Sequence, residues 1–167
     1  IEPRVFSDTR GWFMESWNQN DFARAGVSEP FVQDNQSVSS KHVLRGLHLQ
    51  LPPFAQGKLV RTLSGSVLDI ALDLRKNEPT YGKHFKLVLN EPGKQMLYIP
   101  PGFAHGFLTL EENTVFVYKC TAPYNAEFDR SIRWNDPALG IDWGITNPLV
   151  SEKDRNAPLL SEFDNPF

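Results

Sequence analysis

Ser66-Val67-Leu68-Asp69-Ile70-Ala71-Leu72-Asp73-Leu74 decides the fold class. Leu68, Ile70, Leu72 and Leu74 fall on one side of an extended chain, and Val67, Asp69, Ala71 and Asp73 on the other. This is the period of two that a strand produces and a helix does not. Outward from this run, the same reading predicts strands over 31–40, 58–63, 66–74, 85–89, 96–99, 106–110 and 114–121. The 13 prolines and 11 glycines punctuate the chain about every seven residues, the rhythm of short strands joined by turns. Six or more strands in one small unit must close or sandwich to protect their edges, so a jelly roll or barrel is expected over an open sheet. Such a barrel can enclose a small ligand.

Helical signals are few. A helix is expected over 19–25, capped by Asn18 and closed by Gly26, with short turns near Asp136-Pro137 and Ser151. The 167 residues suit one domain, 1–167, with a sizeable core. Lys and Arg number 17 against 20 Asp and Glu, a net charge of −3 that argues against non-specific nucleic-acid binding while leaving room for a basic pocket for a small anion. Cys120 is the only cysteine, so an internal disulfide and a multi-thiolate zinc site are both ruled out and a reducing, cytoplasmic setting is the default. No stretch reaches the roughly 18 apolar residues of a membrane span, and nothing reads as a signal peptide. The chain opens at Ile1, which leaves room for a trimmed leader.

Two of the four histidines have unusual neighbours. His105 follows the turn Pro100-Pro101-Gly102-Phe103-Ala104, which resembles the second motif of the cupin superfamily, where that histidine is often a metal ligand. His48 falls where the first cupin motif would begin, but His-x-His is replaced by His48-Leu49-Gln50, and the usual glutamate by Lys58, seven residues before Gly65. An amide and an ammonium are poor ligands for a divalent ion, so metal binding is not expected. Lys58 can instead supply the positive charge itself, stabilising an oxyanion on a bound substrate; the plainer alternative is a strand-end lysine with its ammonium in water.

Histidine beside a cation is a kit for removing a proton next to a carbonyl, and inversion then needs a second group that returns a proton to the opposite side. Tyr118, alternating with Phe116 and Cys120, is suited to that. Each residue also has a structural reading. His48 can be a hydrogen-bonded structural histidine, and Tyr118 a core residue whose hydroxyl needs one partner. Asp69 can face solvent, or face inward and orient a histidine. Asp154 fits the capping pattern Ser151-Glu152-Lys153-Asp154 as well as it fits a carboxylate holding an imidazole. His42 and His84, beside lysines, read as exposed.

Taken in order, the segments Asp8-Thr9-Arg10-Gly11, Phe31-Val32-Gln33-Asp34-Asn35, Leu44-Arg45-Gly46-Leu47-His48, Gln56-Gly57-Lys58-Leu59-Val60-Arg61, Tyr118-Lys119-Cys120-Thr121, Ile132-Arg133-Trp134-Asn135-Asp136-Pro137 and Ser151-Glu152-Lys153-Asp154-Arg155 resemble the dTDP-4-dehydrorhamnose 3,5-epimerases, over residues 6 to about 160. The resemblance implies a mostly β, cupin-type jelly-roll barrel with a few short helices, working as a homodimer without metal or cofactor. Its substrate would be a dTDP-linked 4-keto-6-deoxy sugar, inverted at C3 and C5.

By matching position, His48 is similar to the family base, Asp154 to its carboxylate partner, Tyr118 to the reprotonating acid and Lys58 to the lysine beside the enolate oxygen. Arg45, Asp69 and His105 would line the same pocket. Phe6, Arg10 and Glu15 match the segment that meets the nucleotide, with Gln33 and Asn35 on the next strand and Tyr124 near the sugar and diphosphate. An aromatic ring can stack on thymine and an arginine can pair with diphosphate. Departures are small: Leu49 and Leu51-Pro52-Pro53-Phe54 vary the loop after His48, and Trp143-Gly144 stands where the family usually has Trp-Pro. The competing readings are an epimerase acting on C3 or C5 only, a metal-dependent cupin, and a non-catalytic nucleotide-sugar binder.

Overall fold

The alternating run forms the strand it predicts, Ser66–Asp73, and both of its faces are buried. Ile70 and Leu72, with Leu74 just beyond the strand, join Leu44, Leu47 and Trp143 in one core. Val67 and Ala71 join Val60, Phe107 and Phe116 in another. Each fully buried aliphatic side chain contributes about 1.5–3 kcal/mol, so a strand that fills two cores is a strong organiser of its neighbours.

The computed structural model describes residues 1–167. In chain order the strands are β1 (Val5–Asp8), β2 (Gly11–Met14), β3 (Gln33–Ser39), β4 (Leu44–Gln50), β5 (Lys58–Ser64), β6 (Ser66–Asp73), β7 (His84–Asn90), β8 (Met96–Ile99), β9 (Phe103–Thr109), β10 (Thr114–Cys120) and β11 (Asp129–Ser131). The pair β1-β2 is a separate hairpin, and the rest form a four-stranded sheet, β3-β10-β5-β8, and a five-stranded sheet, β11-β4-β9-β6-β7. The expected barrel is thus a sandwich of two sheets whose edge strands do not hydrogen-bond to one another. The space between the sheets can therefore open sideways as a cavity. The first core lies outside the five-stranded sheet, under the C-terminal segment, where Trp143 Nε1 donates to the Trp134 carbonyl at 2.9 Å. The second core lies between the sheets.

Seven expected strands are present with ends shifted by up to three residues; β1, β2, β4 and β11 are additional. Helix α1 (Gln19–Arg24) is capped by the Asn18 side chain, and α2 (Glu152–Arg155) by Ser151. The turn at Asp136-Pro137 is a 3-10 turn, Pro137–Leu139, ended by Gly140 in the left-handed region. No helix is long and apolar enough to cross a membrane.

One irregularity matters for the site. Between Arg45 and His48 the β4-β9 register shifts. Gly46 there has φ +126, and a Cβ on it would lie 2.5 Å from the Gly106 Cα, so only glycine fits. In a regular strand, residues three apart point to opposite faces; the shift lets Arg45 and His48 line the same cavity.

Candidate active site

Strand alternation gathers chemistry from both sheets into one cavity of 620 Å³. From the five-stranded sheet come Arg45 and His48 on β4 and His105 on β9; from the four-stranded sheet, Lys58 on β5 and Tyr118 on β10; and α2 adds Asp154. His48 and His105 are directly paired across β4 and β9. Asn35 on β3 lines the cavity as well.

His48 and Asp154 form a tight pair, Nε2 to Oδ1 at 2.6 Å. Asp154 is 2% exposed and also accepts the Gly46 N–H at 3.3 Å. Burial alone would raise its pKa, but the hydrogen bonds from His48, Gly46 and the Ser151 cap outweigh that and hold the carboxyl below its ordinary value. An ionised carboxylate can only accept, so Nε2 carries a proton, and in the neutral ring Nδ1 holds the free lone pair. Both readings of Asp154 hold at once: its backbone N–H is capped by Ser151 Oγ at 3.1 Å, while its carboxylate turns to His48.

A second pair lies deeper. His105 Nε2 is 2.9 Å from Oδ2 of Asp69, which is fully buried and faces inward; the Asp69 Oδ1 atom has no partner. Burial pulls the His105 pKa down by more than Asp69 restores, which keeps the ring neutral.

Lys58 is not the solvated strand-end lysine. It is 8% exposed, with Nζ 3.4 Å from the His48 carbonyl and 6.0 Å from the Tyr118 ring centroid. Burial pulls its pKa below the usual lysine value. Burial pushes the Tyr118 hydroxyl up, so it remains a proton donor. Arg45 is held by a neutral group, Ser39 Oγ, at 3.1 and 3.3 Å, which leaves its charge available to an anion.

Gln33 and Tyr124 line an adjoining pocket, which shares Asn35, His48, Lys58, Tyr118 and Lys153 with this cavity and forms its mouth. Gln33 Nε2 donates to Asn35 Oδ1 at 3.1 Å, and Gln33 Oε1 accepts the Tyr124 backbone N–H at 2.8 Å. Two rim residues escaped the sequence reading. Lys153 and Asp129 form an ion pair there, and the Tyr124 hydroxyl donates to Asp129 at 3.3 Å. The available signal for Lys153 was its place next to Asp154 in a one-turn helix, whose side chains reach the same mouth; β11, which carries Asp129, is too short for any periodic signal.

Phe6, Arg10 and Glu15 stand apart from the cavity. Phe6 and Glu15 line a separate groove with Met96, and Arg10 pairs with Asp8 at 2.5 Å. Phe6, Trp12 and Phe13 on the hairpin are 49%, 53% and 68% exposed.

Residues 1–162 match the family model described as dTDP-4-dehydrorhamnose 3,5-epimerase. The enzyme of that name from Shigella flexneri is 50% identical over 165 residues, covering 98% of this chain and 91% of its own. The crystal structure of dTDP-4-dehydrorhamnose 3,5-epimerase from Elizabethkingia anophelis aligns with a TM-score of 0.94 at 49% identity, over 99% of this chain and 91% of that one. The dTDP-6-deoxy-D-glucose-3,5-epimerase of Legionella pneumophila, solved in complex with dTDP-4-keto-L-rhamnose, aligns with a TM-score of 0.94 at 44% identity, over 98% and 87%.

Proposed function

This chain belongs to the dTDP-4-dehydrorhamnose 3,5-epimerase family, and from that premise we propose that its residues 1–167 act as one isomerase domain converting dTDP-4-dehydro-6-deoxy-D-glucose to dTDP-4-dehydro-L-rhamnose. One observation carries the mechanism: His48 and Tyr118 project from opposite sheets into the same cavity. A sugar held between them meets a base on one face and an acid on the other.

His48 Nδ1 removes the proton flanking the 4-keto group, and Asp154 stabilises the imidazolium that forms. The electron pair moves onto the ketone oxygen, and Lys58 supplies the compensating charge, with Arg45 as a further donor. The Tyr118 hydroxyl then delivers its proton to the opposite face. Each inversion leaves a phenolate and an imidazolium, which solvent resets, so no net proton is consumed. Carbons 3 and 5 flank the same carbonyl and give enolates sharing one oxygen, so one cationic hole serves both steps. No step requires a metal or cofactor. Asp69 orients His105; Asn35, Gln33 and Tyr124 receive the sugar and diphosphate end. The lone, buried thiol of Cys120 supports a reducing, cytoplasmic setting.

The test is proton NMR of the 4-keto sugar nucleotide in deuterated water. Deuterium is expected at both C3 and C5 with inversion; entry at one carbon alone would move the assignment to a mono-epimerase. Tyr118→Phe is expected to retain exchange, since the base is intact, while inversion falls about 100-fold or more. Full inversion by that variant would remove Tyr118 from the mechanism.

Phe6, Arg10 and Glu15 fit the same function as part of a homodimer in which the hairpin reaches the partner's cavity. What supports this is a hairpin with its aromatic residues uncovered and its binding residues away from their own cavity. Sedimentation equilibrium is expected to give twice the 19.0 kDa chain mass. A monomer that epimerises at full rate would overturn it.

A further inference from the structure

We propose that Gln50 is a positioning residue that acts through Tyr124 to shape the nucleotide-diphosphate end of the site; this rests on the epimerase reading above. Gln50 is the residue that breaks the His-x-His pattern, and it lies on β4 two residues beyond His48. It is buried, and both arms of its amide are engaged with backbone. Nε2 donates to the Phe54 carbonyl at 2.8 Å and to the Pro123 carbonyl at 3.1 Å, and Oε1 accepts the Asn125 N–H at 2.7 Å. Both amide protons are used, which is all that a glutamine can donate.

These bonds tie β4 to two rim segments, 51–57 and 121–128. Gln33 Oε1 holds the Tyr124 N–H at 2.8 Å, so two glutamine carbonyls grip consecutive backbone amides. The ring they present, Tyr124, is 59% exposed at the cavity mouth, and its hydroxyl reaches Asp129, the partner of Lys153. Phe54 and Phe128 meet at 5.1 Å between centroids and close the two segments on each other. An apolar residue of similar volume would fill the space under the rim but would leave two carbonyls and an N–H without partners. The segment carrying Tyr124 would then sample other positions. His48 is fixed separately, by Asp154, so the chemistry at the ketone is insulated from this change.

The experiment is a double-mutant cycle of Gln50→Leu and Tyr124→Ala, read as kcat, KM for the 4-keto sugar nucleotide, and the calorimetric Kd of dTDP alone. Gln50→Leu is expected to raise KM and the dTDP Kd about tenfold while kcat falls no more than about threefold. In the Tyr124→Ala background the same substitution is expected to add less than about twofold, because the group being positioned is gone. Gln50→Glu, equal in size but facing the Phe54 and Pro123 carbonyls with an oxygen, goes through the same cycle if the leucine variant does not fold. Additive effects on KM and Kd would overturn the proposal, as would a fall in kcat with KM unchanged. Tyr124→Ala with unaltered dTDP affinity would overturn it together with the role given to Tyr124. Affinity for dTDP is read without turnover, so a wild type that binds dTDP but does not epimerise would show failure of the epimerase reading on its own.

Discussion

His48→Asn is expected to lower kcat by about three to four orders of magnitude while the protein melts close to the wild type. Asparagine keeps a donor toward Asp154 but has no lone pair that can take a proton near neutral pH. His48→Ala is expected to lose as much activity and in addition to melt earlier. It strips the closest partner, at 2.6 Å, from a carboxylate that is 2% exposed, and an unpaired buried charge is costly. The pair of variants separates the two readings that sequence chemistry leaves open. For a base, both substitutions abolish turnover, whatever they do to stability. For a structural histidine, activity would follow stability, and asparagine would rescue it. Steady-state kinetics and thermal melts of both proteins decide the point; asparagine with wild-type kcat would end the assignment of His48 as base.

The parts of the fold legible in the sequence are those where a period of two is uninterrupted. β6 alternates cleanly because both its faces meet apolar layers, and β10 reads well because Phe116 and Cys120 point inward between outward residues. β4 was not legible as a strand, although it carries His48, the proposed base. Gly46 interrupts it at a register shift, and Arg45, His48 and Gln50 occupy positions that a core-facing strand would fill with aliphatics. Strand periodicity fails where the chain builds its site, since polar side chains turned inward erase the apolar pattern. The hairpin β1-β2 escapes for the opposite reason: apart from Met14 its residues are exposed in this chain, so no alternation of buried and open positions is imposed on it.

The site divides in the same way. His48, Lys58, Tyr118 and Asp154 are named by residue chemistry and family resemblance; alternation on facing sheets turns Lys58 and Tyr118 inward, whereas His48 depends on the β4-β9 register shift and Asp154 on the placement of α2. The ion pair of Lys153 and Asp129 depends on where the 121–128 segment and a one-turn helix meet. No local rule in the sequence specifies that meeting.

Lys58→Met is expected to lower kcat about 100- to 1,000-fold, the range for removing one preorganised group from an oxyanion site, and to leave the melting temperature unchanged or higher. The two signs oppose each other for one reason. At 8% exposure, with a single 3.4 Å hydrogen bond to the His48 carbonyl, the ammonium is poorly repaid for its lost water. A methionine of similar length occupies the space without that cost. A lysine buried at a cost to stability is explained if its charge is used, and in the proposed mechanism it meets the enolate oxygen.

The pH profile carries the same argument further. Burial lowers the Lys58 pKa, so as pH rises the cation is lost earlier than for an ordinary lysine, and kcat should fall on the alkaline side. Tyr118 is shifted upward by burial and keeps its proton over that range, so this limb belongs to Lys58. In Lys58→Met the residual activity should lack it. Profiles of kcat from about pH 6 to 10, the span over which lysine shifts become visible, with melts of both proteins, test the assignment. A variant with wild-type kcat, or one that keeps the alkaline fall unchanged, would show that the enolate does not draw its stabilisation from Lys58.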